Sequence, residues 1–277
     1  MRIEISEIIL ESGRAERNYW RDLWRYRELF QVLAARDVSV RYKQTVIGIV
    51  WAVLRPFLTM IIFTIIFSRI AKLPSEGDAP YALMVLAGLL PWTFFSTALG
   101  DASLSLVTNS NLISKVYFPR LIIPTATIVV SFVDLLISFS ILIVMMAWYR
   151  FLPSATILAL PLFILLAFLA SLGPGLWITA LNVKYRDFRY IVPFFLQFGV
   201  YVSPVGFSSS AVPEQWRLLY SLNPMVGVID GFRWSILGGA AGIYWPGLGL
   251  SIFVTACFLW LGVRQFRKTE KTFADLV

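Results

Sequence analysis

Histidine is absent from this chain of 277 residues, and cysteine occurs once, at Cys257. Without His the side chain that most readily exchanges protons near neutral pH is missing, which argues against proton-driven transport. A single Cys excludes an intrachain disulfide and leaves the redox compartment unencoded. Metal sites need clusters of His, Cys, Asp or Glu; the scattered carboxylates here suggest none, so no metal ligand and no catalytic residue is assigned. A phosphate-cradling loop is missing as well. A Walker A motif places Gly directly before its Lys, and none of Lys43, Lys72, Lys115, Lys184, Lys268 or Lys271 follows a Gly. The chain has no P-loop with which to hydrolyse ATP.

Charge is also scarce, at 14% against roughly 25% in an average soluble domain. Hydrophobic residues make up 58% and aromatics 16%, the composition of an integral membrane protein. A membrane helix needs about 20 mostly apolar residues to cross about 30 Å of hydrocarbon. Six stretches qualify: Ile47 to Ala71, Tyr81 to Leu99, Leu121 to Tyr149, Ala155 to Leu181, Tyr190 to Phe207 and Ile243 to Val263. The fifth is short and holds Pro193 and Pro204, which predict a kink or an early stop. The first apolar run begins near Val46 after a long charged stretch, unlike a secretory signal, so the N-terminus is expected to stay in the chain. No linker interrupts the spans. The organisation expected is one domain over residues 1–277: an N-terminal region 1–46, a six-span core 47–263 and a tail 264–277.

Orientation follows the Lys/Arg bias of the loops. With the N-terminus inside, three quarters of the 24 basic residues fall in cytoplasmic segments, so both termini are expected there. The outer segment between Ser208 and Gly242 is too apolar for a plain loop and too broken by Pro213, Asn223-Pro224 and Gly231 for two crossings. A pair of short re-entrant helices satisfies both constraints. Asn223 as cap with Pro224 in the first turn marks the start of the second. Such a hairpin serves either as a gate or as an interfacial anchor.

Few side chains are candidates for chemistry. Asp134 is the acid inside a predicted span, where burial is costly; it either serves function or hydrogen-bonds between helices. Arg55, near the inner end of the first span, either snorkels to headgroups or meets an anionic substrate. Phe194, Phe198 and Tyr201 share one helical face, as do Phe63 and Phe67. Two such stripes could stack on sugar rings as a channel lining, or simply pack. Between spans two and three, Leu112, Ile113, Val116 and Phe118 form an apolar patch that suits a protein partner. Ahead of the first span, Trp20 to Gln44 is a helix-compatible polar segment joined directly to the membrane part.

Several blocks together resemble the membrane subunit of polysaccharide-exporting ABC transporters, an ABC-2-type permease. They are Arg36-Asp37 with Arg41-Tyr42, Gly48-Ile49-Val50-Trp51 and Arg55-Pro56; Gly88-Leu89-Leu90-Pro91-Trp92 with Phe94-Phe95-Ser96; Asn111-Leu112-Ile113 with Lys115-Val116-Tyr117-Phe118-Pro119-Arg120; and Tyr185-Arg186-Asp187 with Pro193, Gln197 and Ser203-Pro204-Val205. Asn223-Pro224-Met225, Ile229-Asp230 and Phe232-Arg233 add a fifth. The resemblance covers Tyr26 to Val263.

It implies an all-α membrane fold of six spans, an N-terminal amphipathic interface helix (about Arg27 to Gln44) and two outer re-entrant helices. Two copies would pair as a homodimer in a bacterial inner membrane and dock two copies of a cytoplasmic ABC ATPase. That partner would bind ATP and Mg, leaving this chain a non-catalytic permease without cofactor; no nucleic acid enters. The ATPase contact would use Arg36, Asp37, Arg41, Tyr42, Leu112, Lys115, Tyr117, Phe118, Arg120, Arg186 and Asp187. Arg41, Lys43 and Arg55 would meet the substrate head group, and Phe63, Phe67, Phe194, Phe198 and Tyr201 would line the channel. Trp216, Tyr220, Met225 and Phe232 would form the gate. The cargo implied is a lipid-linked polysaccharide, best lipopolysaccharide O-antigen, with teichoic acid, capsule or, further off, a drug or lipid as alternatives. A secondary transporter would call for more intramembrane acids or internal repeats, and an embedded glycan transferase for a carboxylate cluster that Asp101 and Asp187 do not supply.

Overall fold

The computed structural model describes residues 19–42, 46–238, 242–270 and 273, with 46–49 described by backbone alone, and among them every regular element is helical. Two helices precede the membrane part, α1 (Tyr19–Arg25) and α2 (Arg27–Tyr42). Next comes α3 (Val46–Phe63), which continues into a π-helical stretch, Thr64–Ile70. α4 (Tyr81–Thr108), α5 (Ser110–Lys115) and α6 (Ile122–Tyr149) follow. A 3-10 stretch, Ala155–Ala159, leads into α7 (Leu160–Lys184), and a short turn into α8 (Phe188–Val202). The chain closes with α9 (Glu214–Tyr220), α10 (Pro224–Ile236) and α11 (Trp245–Glu270).

Five of these stretches are long and apolar enough to cross a membrane: Val50–Ile70, Tyr81–Thr108, Ile122–Tyr149, Ala155–Lys184 and Trp245–Glu270. The expected fifth of six spans is the exception. α8 has 15 residues, which at 1.5 Å per residue is about 22 Å, short of the roughly 30 Å of a hydrocarbon core. It stops at Val202 because Ser203 turns to extended backbone ahead of Pro204. Three other helices outrun their expected ends: α4 passes Leu99 to reach Thr108, α7 passes Leu181 to reach Lys184, and α11 passes Val263 to reach Glu270. The α4 extension is held by tertiary packing, for Ala102, Ser103, Ser105 and Leu106 are all buried.

From Ala82 to Trp92 every residue of α4 is buried. A helix apolar on all sides belongs in the middle of a bundle, and α3, α6, α7, α8 and α10 all pack on it. The main core gathers there, with Leu83, Met84, Leu86, Leu90 and Phe94 meeting Ile128, Phe163, Ile229 and Phe232. α11 joins through α7, where a Cβ on Gly262 would overlap the carbonyl of Gly173. A second apolar cluster sits at the opposite end of the bundle from α10. It is built from α1, α2, α5, residues 116–121 and the adjoining ends of α4, α6, α7 and α11. The fold thus has an α2 end and an α10 end.

Candidate functional site

At the α2 end, α2 lays Leu33 and Ala34 onto the second cluster and packs along α6. Its polar side then makes the specific contacts. Arg36 pairs with Asp37 at 2.8 Å and donates to Asn109 Oδ1 at 2.9 Å, so α2 grips the residue that opens α5. Arg41 Nη1 lies 3.2 Å from Asp101 Oδ2 on α4 and 3.2 Å from Asp134 Oδ2 on α6. Tyr42 donates its hydroxyl to Asp134 Oδ1. One cation therefore ties three helices together. Asp134 lacks partners only in the linear sequence; the fold supplies two. With its side chain 17% exposed it needs them, whereas Arg41 at 38% remains half in solvent. Lys43 and Gln44 lie outside the described residues. Arg55 is exposed on α3 and joins none of this network.

The apolar patch after α4 divides in two. Ile113 and Phe118 turn into the second cluster, and Leu112 packs against it. Phe118, an expected ATPase contact, is 2% exposed because it seals the cluster beneath α5. Lys115, Val116 and Tyr117 remain exposed beside it. Arg120 is held from the far end of the chain. Its backbone N–H donates to Glu270 Oε1 at 2.8 Å, its guanidinium donates to the Glu270 carbonyl, and Tyr19 donates to the same Oε1 at 3.3 Å. Burial beside that carboxylate pushes the Tyr19 hydroxyl above its usual range, so it remains a donor. Arg186 and Asp187 stand exposed in the turn between α7 and α8. Glu270 was not legible as a functional residue; a lone acid closing a basic helix end was the available signal.

The two aromatic stripes do meet, at Phe63 and Tyr201, whose rings are 5.8 Å apart. Their surroundings differ. Phe63 is buried in the main core, and Phe67 covers Gly206, where a Cβ would overlap its ring. Phe194, Phe198 and Tyr201 are more than half exposed, with Phe194 and Phe198 in contact at 4.7 Å. An aromatic face left open along a short apolar helix is available to a partner or a cargo.

At the α10 end, Asn223 caps α10 by accepting from Met225 N–H at 3.0 Å, with Pro224 in the first turn as the sequence predicts. Of the expected gate residues, Trp216 is exposed and Tyr220 half-buried, but Met225 and Phe232 are fully buried. They belong to the main core: Phe232 stacks on Phe139. The unforeseen residue is Arg233, 0% exposed, read from sequence as an outer charge. It donates to the carbonyls of Met84 (3.2 Å), Val205 (2.9 Å) and Phe207 (2.8 Å) and pairs with Glu76 at 3.3 Å. Tyr81 donates to Gly206 O at 2.6 Å and Tyr220 to Val202 O at 2.8 Å. Carbonyls freed where α8 ends short are thus capped by side chains, as buried backbone outside a helix requires. Burial pushes the nearby Asp230 carboxyl up to about 6 despite a hydrogen bond with Ser209 and the charge of Arg233.

Among the described residues no group of three or more His, Cys, Asp or Glu could hold a metal. The model of the ABC-2 type transporter family matches residues 28–237. The chain is 25% identical over 259 residues, covering 93% of its own length and 98% of the relative, to a Myxococcus xanthus protein described as O-antigen export system permease protein RfbA. A Klebsiella pneumoniae protein of the same description is 24% identical over 257 residues, 90% of this chain and 95% of that protein.

Proposed function

We propose, from the premise that this chain belongs to the ABC-2 type transporter family, that it is the membrane subunit of an ATP-driven exporter moving lipid-linked O-antigen across the bacterial inner membrane. The observation that carries this reading is the nearly end-to-end correspondence with relatives described as O-antigen export permeases. The open aromatic face of α8 supports it, because aromatic rings stack on sugars without reading their sequence.

In this reading the α2 end is cytoplasmic, where the basic residues gather. A separate ATPase binds ATP and Mg and docks against Lys115, Val116 and Tyr117, with Arg186 and Asp187 beside it. Closure of the ATPase dimer pushes α5. Asn109 passes that movement to α2 through Arg36, and Arg41 passes it to α4 and α6 through Asp101 and Asp134. Two copies pair with their α8 faces toward a shared channel, where Phe194, Phe198 and Tyr201 meet the glycan. The exposed Arg55 meets the anionic head group by charge-assisted hydrogen bonds. α8 with the backbone after it makes the sixth crossing, and α9 moves as the outer gate against α10, which the Arg233 anchor holds in place.

Reconstitution tests this. The chain and its ATPase, purified together and placed in vesicles, should move a lipid-linked glycan only when both subunits and ATP are present. Glycan movement by this chain alone, or ATP-driven export of small amphiphiles in place of glycan, would overturn the reading.

A further inference from the structure

The last three turns of α11 present two unlike faces. On one, Phe266 is buried, Arg267 stacks on Tyr19 at 4.7 Å, and Glu270 receives Tyr19 and Arg120. On the other, Leu261, Arg264, Gln265 and Lys268 recur at the three- and four-residue spacing of a single helical stripe. With Trp177 of α7 they line a groove of about 280 Å³. Arg264 lies over the ring of Trp260, 5.0 Å from its centroid. Among the described residues no carboxylate lines the groove. Neither Arg264 nor Lys268 has an ion-pair partner among the described residues.

We infer that this groove binds the phosphate group of an anionic phospholipid, with Arg264 and Lys268 on the phosphate and Trp177 and Leu261 against the glycerol and upper acyl chain. The groove is graded along the helix axis. Leu261 and Trp177 lie toward the apolar interior, and Lys268 stands seven residues, about 10 Å, further toward the end of the span. That order, apolar first and cationic last, matches an amphiphile inserted tail inward. Arg forks onto phosphate oxygens, Trp favours the headgroup level, and basic pockets between membrane helices suit anionic headgroups. Free phosphate would use only the upper half. Placing this lipid in the cytoplasmic leaflet rests on the orientation proposed above; the chemistry of the groove does not.

The test is lipid retention by the purified full-length protein in neutral detergent, followed by native mass spectrometry during titration with phosphatidylglycerol, phosphatidylcholine or inorganic phosphate. One phosphatidylglycerol per chain should bind ahead of phosphatidylcholine. Arg264→Gln with Lys268→Gln should weaken it about 30-fold, from the attraction each basic residue contributes near an anionic surface. Arg264→Lys with Lys268→Arg should preserve binding, and Arg267→Gln, on the other face, should leave it unchanged. Equal retention of the two lipids would reduce the groove to an apolar slot and overturn the proposal. So would displacement of the lipid by inorganic phosphate, or undiminished binding by the double Gln variant. Export is not measured, so failure here leaves the permease reading standing, and failure of that reading leaves the lipid result intact.

Discussion

The two ends of the bundle use arginine in opposite ways. Arg233 at the α10 end is fully buried and satisfied by three carbonyls and Glu76, whereas Arg41 at the α2 end stays half exposed between Asp101 and Asp134. A buried charge held by four acceptors cannot move without leaving unpaired groups in a low dielectric. A half-solvated ion pair exchanges partners at little cost, since water replaces what it loses. The α10 end is therefore the fixed anchor of the fold and the α2 end its movable joint.

The contrast breaks most readily at Arg233. Arg233→Met should cost about 3–5 kcal/mol, because Glu76 and several carbonyls would be left buried and unpaired; the expected readout is loss of folded protein from the membrane. Arg233→Lys should recover part of it, as an ammonium keeps the charge but cannot span the same acceptors. Tyr81→Phe should cost less, about 1–3 kcal/mol, by orphaning the Gly206 carbonyl; thermal unfolding in detergent checks it.

Asp230 gives a pH test of the same end. Its folded pKa of about 6 lies above the ordinary 3.8, so between those values the folded state holds more protons than the unfolded one. Stability from this group is present below the lower value and lost as pH rises through about 6. Asp230→Asn should flatten that slope in melting temperature against pH. The smallest stability effect is expected at the α2 end, where Arg41→Gln keeps an amide donor for Asp134 and leaves the Tyr42 hydrogen bond in place, and should cost about 1 kcal/mol.

Much of the scaffold was legible in the sequence, because span length and helical periodicity are local properties. Asn223-Pro224 announced the start of α10, and the prolines of the fifth apolar stretch announced its early end. The anchors were not legible. Arg41 meets Asp101 across 60 residues, Tyr42 meets Asp134 across 92, and Arg233 meets Met84 across 149, separations that no local pattern encodes. Phe118, Met225 and Phe232 show the converse failure. Their residue types suited a docking surface or a gate equally well as a core, and only packing put them inside. The π-helical stretch after Phe63 had no signal in composition or spacing.

The claim that the α2 end is the moving joint is tested most directly by ATP hydrolysis and glycan export measured together in vesicles holding the Arg41→Gln permease and its ATPase. A folded, assembled complex is expected, with ATP hydrolysis retained and export reduced at least about 10-fold, the deficit of about 1.4 kcal/mol or more arising in coupling. Export at the wild-type rate, or a loss of stability as deep as that of Arg233→Met, would contradict it.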